Sequence, residues 1–354
     1  MWYADSLRAP ARLFALAVAA FLMVPGSSAQ AQIPCLYESG GFLASWYSEC
    51  EDSASSASAL GSGLSAIGEG FASQQINVGA GIAGFASPTG RLRHTSHDGL
   101  VEKSTGLRTQ GFEIDEGSVF GNVSYDLPGT YFGGKVRVNG LAGYNRLSQD
   151  IDTSGAKTDI DAFIYGGSYL WSKGSFYSMS LIIGLSGEAD GVESTVGSKY
   201  SYDVSGYFTN SVIGYTFDWP GTGWRFDLRG GLGHYDVSTD SFTFVNNPAA
   251  GKIKGVAEAW SGSITGTLFT LVETDGGGVL RPYVLASYKN VFDEEIEVKG
   301  DFVAEFEQAD DFGKVELGFD YVKGALTYGA AAYTEFSEDE KTIGARLGVS
   351  VKLQ

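Results

Sequence analysis

From Thr342 to Leu353 the chain alternates without a break. Ile343, Ala345, Leu347, Val349, Val351 and Leu353 are apolar, while Thr342, Gly344, Arg346, Gly348, Ser350 and Lys352 are polar or glycine. Side chains alternate across a strand with period two, so this segment has one greasy and one wet face. Strands of soluble domains run about 5–6 residues, whereas a tilted membrane-spanning strand needs about 9–11. A run this long predicts the closing strand of an all-β, antiparallel, up-and-down barrel in an outer membrane.

The other end supports export. Arg8 and Arg12 precede an apolar run from Leu13 to Val24, then Pro25-Gly26, and Ala29-Gln30-Ala31 supplies a small-x-small cleavage pattern. Residues 1–31 are therefore expected to be a secretory signal peptide. No other segment approaches the ~18 consecutive apolar residues of a spanning helix, which excludes a helical inner-membrane protein. A barrel hides half its residues in a polar lumen, so a mean hydropathy of -0.03 is compatible with one. The formal charge of -18, slightly more negative without the leader, excludes nucleic acid as a partner of the whole surface. Cys35 and Cys50 are the only cysteines; an exported chain with this even count and short spacing predicts a disulfide closing a small loop. A reactive thiol pair lacks both a CxxC spacing and a supporting histidine.

Alternation predicts twelve strands. They fall near 74–86, 112–127, 133–148, 158–172, 175–188, 198–217, 222–238, 252–273, 278–292, 311–322, 325–336 and 341–353, so that 74–354 is the barrel. Links such as Pro128-Gly129, Ser172-Lys173-Gly174, Trp219-Pro220-Gly221-Thr222-Gly223, Asp275-Gly276-Gly277-Gly278 and Lys323-Gly324 are short and rich in turn formers. The links between them, including a first loop over 87–111, are mostly longer and polar. Outer-membrane barrels pair short periplasmic turns with longer external loops and even strand number. The seventh strand puts Trp224, Phe226, Leu228 and Leu232 on one face and Arg225, Asp227, Arg229 and Tyr235 on the other. The third opposes Val136, Val138, Ala142 and Tyr144 to Lys135, Arg137, Asn139 and Asn145; the tenth opposes Val315, Leu317, Phe319 and Tyr321 to Lys314, Glu316, Gly318 and Asp320. Lys or Arg on lipid costs ~2–4 kcal/mol near the midplane, so charged faces point inward and apolar faces outward. The fifth strand puts Tyr177, Met179, Leu181, Ile183 and Leu185 on one side. Aromatic residues near segment ends, Trp171, Trp219 and Trp224 among them, read as an interfacial girdle.

Residues 32–73 form a short segment before the barrel. Within 53–73, Leu60, Leu64, Ile67 and Phe71 make a narrow helical stripe. Gly61, Gly63, Gly68 and Gly70 each cost about 1 kcal/mol in a helix, so the stripe describes either a helix sheltered in the lumen or a flexible Gly/Ser linker. If it is a luminal helix, the intact protein should conduct poorly and a chain beginning near Gln74 should conduct well.

A small-residue helix before a twelve-strand barrel resembles the C-terminal translocator domain of autotransporters (type V secretion). Leu280-Arg281-Pro282-Tyr283, followed by Ala286-Ser287-Tyr288, is similar to that family's arginine-proline-tyrosine strand. The resemblance covers about 53–354. It implies anchoring or exposure of what precedes the barrel, and assembly by the barrel-assembly machinery. Two features depart from the family pattern: only the short 32–73 segment stands where a large passenger is usual, and the chain closes on Leu353-Gln354 rather than on an aromatic residue.

Chemistry is sparse. His94 and His97 lie with Asp98 in what reads as a solvated loop, without an assured third metal ligand. His234 is in phase with the outward Leu232. An outer-membrane lipase would need a nucleophile close after it, which Gly233-His234-Tyr235-Asp236-Val237-Ser238 does not provide in that arrangement; an interfacial histidine is the expectation. A protease built from loop Asp and His residues has no support. The stretch from Asp293 to Asp311 is acidic and reads as a solvated loop, the alternative being divalent-cation bridging to lipopolysaccharide phosphates. The expected protein is a non-enzymatic monomer without cofactor or metal, in contact with outer-membrane lipid and lipopolysaccharide. The other functional reading is a small-solute porin-like channel. The expected lumen-lining residues are Arg225, Asp227, Arg229, Arg281, Lys289, Lys314, Glu316 and Arg346.

Overall fold

A computed structural model describes Ala57, Leu60, Gly61 and residues 84–352, apart from 105, 107, 152–155, 193–198, 243–251, 300–302 and 308–309. The expected signal peptide and Cys35–Cys50 loop, and Leu64, Ile67 and Phe71, lie outside the described residues.

Twelve long strands make the wall: β1 (Gly84–His97), β3 (Phe112–Asp126), β4 (Lys135–Ile151), β5 (Lys157–Lys173), β6 (Phe176–Val192), β7 (Lys199–Asp218), β8 (Trp224–Thr239), β9 (Lys254–Thr270), β11 (Val279–Lys299), β13 (Asp311–Lys323), β14 (Leu326–Phe336) and β15 (Glu340–Lys352). Three short strands accompany them, β2 (Val101–Glu102), β10 (Val272–Glu273) and β12 (Val303–Glu307). Every pairing is antiparallel. β1 pairs with β15, with Gly90 opposite Leu347 and Leu92 opposite Ala345, which closes the ring and leaves no long edge. Two-residue turns at Gly174-Ser175 and Gly324-Ala325 begin on glycines with φ of +61° and +62°, the dihedral a II′ hairpin requires at that position.

Eleven of the expected strands stand within a few residues of their expected starts. The first does not. Gly84–His97 is a strand where a loop over 87–111 was expected, so His94 and His97 sit in the wall. Its inner face carries Arg91, Arg93 and His97, and its outer face Pro88, Gly90, Leu92 and His94, so the apolar stripe by which strands are recognised is reduced to Leu92 among a proline, a glycine and a histidine. The acidic stretch is also ordered as strand: β11 runs to Lys299 and turns back as β12. There Glu297 and Glu295 both pair with Lys299, and the Glu297 contact holds that ammonium above its ordinary pKa.

The outer surface fixes the membrane. On β3, Val119, Val123 and Tyr125 are exposed outward while Ser118, Asn122 and Ser124 are buried inside. Outward apolar or small residues run over 117–125 on β3, 136–144 on β4, 163–171 on β5, 313–321 on β13 and 343–351 on β15. Each run matches the about 9–11 residues of a tilted membrane strand. Beyond the band the polarity reverses. Glu113 and Asp115 face outward on β3 while Phe112 and Ile114 are buried; Asp159 and Asp161 face outward on β5 while Ile160 and Ala162 are buried. The reversal lies at the long-loop rim, which is extracellular in bacterial barrels.

At the short-turn rim, Tyr131 pairs with Gly134 around Phe132 and Gly133, at φ +52° and +75°. A left-handed conformation costs a non-glycine residue roughly 1–2 kcal/mol, yet the Phe132 ring is 95% exposed. It is positioned as an interfacial anchor beside Trp171, whose Nε1 donates to the Tyr131 carbonyl at 2.8 Å. Phe132→Asn should therefore raise unfolding stability in detergent by about 1 kcal/mol and by less in a bilayer, where the ring is lost from the interface. Urea titrations in the two media check this; no gain in detergent would mean the turn is unstrained.

Candidate functional site

The interior has two unlike walls. From β5 to β7 it is largely apolar, with Ile164, Met179, Leu181, Ile183, Leu185 and Phe208 all buried, and Leu141 of β4 beside them. The more apolar side of β6 thus faces inward, and Ser178, Ser180, Ile182, Gly184 and Ser186 face outward. The charge rule could not place this strand, because neither of its faces carries charge within the band.

From β11 through β13–β15 to β1 the wall is ionic. Glu316 accepts from Tyr283 Oη at 2.8 Å and pairs with Arg346 at 2.5 Å, with Lys314 Nζ at 3.9 Å. Lys314 reaches Glu335 at 2.9 Å, Arg93 reaches Glu340 at 3.1 Å and Glu116 at 3.5 Å, and Arg281 pairs with Asp320. Arg91 Nε donates to Tyr333 Oη at 2.7 Å. On β8 Asp227 accepts from Tyr177 Oη at 2.8 Å and from Thr216 Oγ1 at 3.0 Å. Opposite charges at neighbouring register positions pin the strands against slippage.

Of the expected lumen-lining residues, Asp227, Arg229, Arg281, Lys314 and Glu316 are buried inside. Arg346 is half-buried with Glu316, and Lys289 lies over the Phe312 ring at 4.5 Å. Arg225 stands apart at the short-turn mouth, half-exposed and paired with Asp218 at 2.8 Å. Arg91, Arg93, Glu335 and Glu340 complete the ionic wall and were missed. The alternation of β13 to β15 located their neighbours, but β1 itself was unseen. A polar space between Arg229, Ser263, Thr265, Ser287 and Lys314 has room for about one or two waters.

Ala57, Leu60 and Gly61 are helical, with Ala57 and Leu60 buried in the same apolar cluster as Ile183 and Phe208. A Cβ on Gly61 would lie 2.5 Å from the Tyr235 ring, so only glycine lets the backbone come this close. On β3 and β4, buried polar atoms of Ser118, Asn122 and Asn145 have no hydrogen-bond partner among the described residues.

The histidines sit at the outer rim. His234 faces outward, its ring 4.3 Å from Trp260 and 5.6 Å from Tyr207, with Nε2 3.0 Å from Glu258. His94 meets Asp115 at 2.9 Å on the exposed face. His97 is stacked on Phe112 at 4.6 Å, and burial lowers its pKa below the ordinary imidazole value; its Nδ1 accepts from Gly99 N–H at 3.0 Å.

A closed antiparallel wall with an apolar outer band, aromatic rims and a polar inner wall is an outer-membrane β-barrel. A family model described as the autotransporter β-domain matches residues 99–349, more than half of the chain, and the chain belongs to that family. No curated protein matches. Among solved structures, the translocator domain of NalP from Neisseria meningitidis aligns with TM-score 0.65 at 12% identity, over 87% of this chain and 99% of that one. The β-domain of Bordetella BrkA gives 0.60 at 13%, over 77% and 100%. The transport unit of AIDA-I from Escherichia coli gives 0.58 at 14%, over 77% and 90%. At such identity the likeness speaks to fold alone. Family and fold indicate a bacterial outer-membrane protein.

Proposed function

We propose that this protein is exported by its N-terminal leader, assembled as a monomer by the barrel-assembly machinery, and anchors its own short N-terminal segment within the barrel, without enzymatic activity. The observation that carries the reading is the burial of Ala57 and Leu60 among interior apolar residues of the wall. The composition of 53–73 fits two unlike walls: Leu60, Leu64, Ile67 and Phe71 share one helical face, and Ser55, Ser58, Ser62 and Ser65 recur three and four apart on the opposite one. The apolar stripe suits β5–β7. The serines suit the unpartnered amides and hydroxyl of Asn122, Asn145 and Ser118. Outside, the acidic rim stands at the level of lipopolysaccharide headgroups and is compatible with cation-bridged contact there.

Paired cysteines Gly61→Cys and Tyr235→Cys, in a chain with Cys35 and Cys50 replaced by serine, should cross-link under mild oxidation in intact membranes. Absence of that cross-link in correctly folded barrel would remove the segment from the lumen and favour the small-solute channel. A separate label at Tyr37→Cys reports which side of the membrane the leading part of the segment occupies. Accessibility from outside means display, and accessibility from the periplasm alone means retention.

A further inference from the structure

The sheet closes twice, at two heights. Within the membrane band the ring runs β11–β13–β14–β15–β1. Above the band those neighbours stop: β13 begins at Asp311, β14 ends at Phe336, β15 begins at Glu340 and β1 ends at His97. There β11 continues past the end of β13, still paired with β9, to Lys299; β12 then runs back along its free edge and pairs with β2 from the loop after β1. Phe306 lies opposite Glu102 and Glu307 opposite Val101, while Val101 bridges back to Arg108 just before β3. The chain thus ties the extracellular wall shut across the tops of the four short strands.

Several contacts hold this crossing. Lys103 N–H donates to the Glu305 carbonyl at 2.9 Å and Asp98 N–H to the Asp339 carbonyl at 2.8 Å. Arg108 pairs with Asp339 at 2.6 Å. Gly99, at φ +102°, leaves no room for a Cβ, which would meet the Thr109 carbonyl oxygen at 2.4 Å. Beneath the crossing the interior is packed and apolar. Leu100 and Phe306 come from the crossing, Phe112 from β3, Tyr202 from β7 and Val298 from β11, all buried in one cluster. An aqueous path needs polar lining or space, and the described residues of this layer are mainly apolar, with Thr158 and Gln149 among its few buried polar side chains.

We propose that the β12–β2 pairing is a latch holding an apolar stopper across the extracellular mouth, closing the barrel to the exterior independently of what occupies the lumen. The barrel then carries two seals in series, and removal of residues before Gln74 would not by itself open it. The expectation of free conduction in such a chain changes accordingly.

Thr158 and Ser201 test this at one height. Thr158 faces the interior and hydrogen-bonds Tyr200 at 2.7 Å, while Ser201 faces outward beside Glu188. In the full chain with Cys35 and Cys50 replaced by serine, single cysteines at the two positions are reacted on intact cells with a membrane-impermeant maleimide. Thr158→Cys should label at least tenfold more slowly than Ser201→Cys. Adding Phe306→Glu, which sets a carboxylate beside Glu102 in the latch, should raise the Thr158→Cys rate at least tenfold. Arg108→Ala, which removes the outer ion pair without touching the apolar layer, should raise it severalfold and serves where Phe306→Glu does not fold, as judged by heat-modifiable gel mobility. Equal labelling of the two cysteines in the otherwise native chain overturns the proposal. So does a Thr158→Cys rate that neither latch variant changes in folded barrel. The Gly61–Tyr235 cross-link is read separately, so failure of the latch and failure of the luminal reading give different results.

Discussion

Glu316→Ala is expected to cost the barrel ~3–5 kcal/mol, the usual consequence of removing one partner from a buried ion pair. Glu316 is 2% exposed and serves three neighbours at once, Arg346, Lys314 and the Tyr283 hydroxyl. Without it the Arg346 guanidinium loses its carboxylate in a low-dielectric interior, Lys314 is left with Glu335, and a phenol loses its acceptor. Glu316→Gln keeps an acceptor for Tyr283 but not the charge, so its loss should be intermediate. The temperature at which the compact gel form disappears, and urea unfolding in bilayers, should rank wild type above Gln above Ala. An Ala variant within about 1 kcal/mol of wild type would mean that water or neighbouring carboxylates screen the site far better than a buried pair allows.

That network was only half visible in the sequence, and the reason is physical. Lys314, Glu316 and Arg346 alternate with lipid-facing Val315, Leu317 and Leu347, so period two exposed both faces together. Arg91 and Arg93 occupy the same wall, but Gly90, Leu92 and His94 alternate with them after Pro88, and a strand with one aliphatic side chain among proline, glycine and histidine on its outer face reads as loop. Met179, Leu181, Ile183 and Leu185 could be grouped on one side but not given a direction. Their strand carries no charge within the band, and it offers Ser178, Ser180, Ile182, Gly184 and Ser186 to lipid and its more apolar side to the interior. The β12–β2 crossing left no local signal at all. It is a long-range pairing between two short strands in polar stretches, and period and turn chemistry carry no information about such partners.

Arginine placed along the outer face should trace the membrane's edge. Leu347 is 67% exposed, midway along the outward run of β15 and flanked in register by Ala330 and Gly90. Leu347→Arg puts a guanidinium at the hydrocarbon midplane, at a cost of ~2–4 kcal/mol. Ser201→Arg, outward on β7 but above the band and beside Glu188, meets water and a carboxylate, so its effect should fall within about 0.5 kcal/mol, as for ordinary surface substitutions. Inside the ring at that upper level the rule turns over again. Ile160 is 1% exposed in the apolar layer, and Ile160→Arg buries a charge without a partner, costing several kcal/mol or abolishing folding. A protein whose polarity simply alternated along each strand would rank these three by inward or outward direction alone. Here the outward pair differs because the solvent changes from lipid to water, and the inward position is penalised because the extracellular interior is a packed core. Urea midpoints in vesicles should follow the order Ser201→Arg, Leu347→Arg, Ile160→Arg from most to least stable. Equal losses at Leu347 and Ser201 would place the membrane elsewhere on the wall.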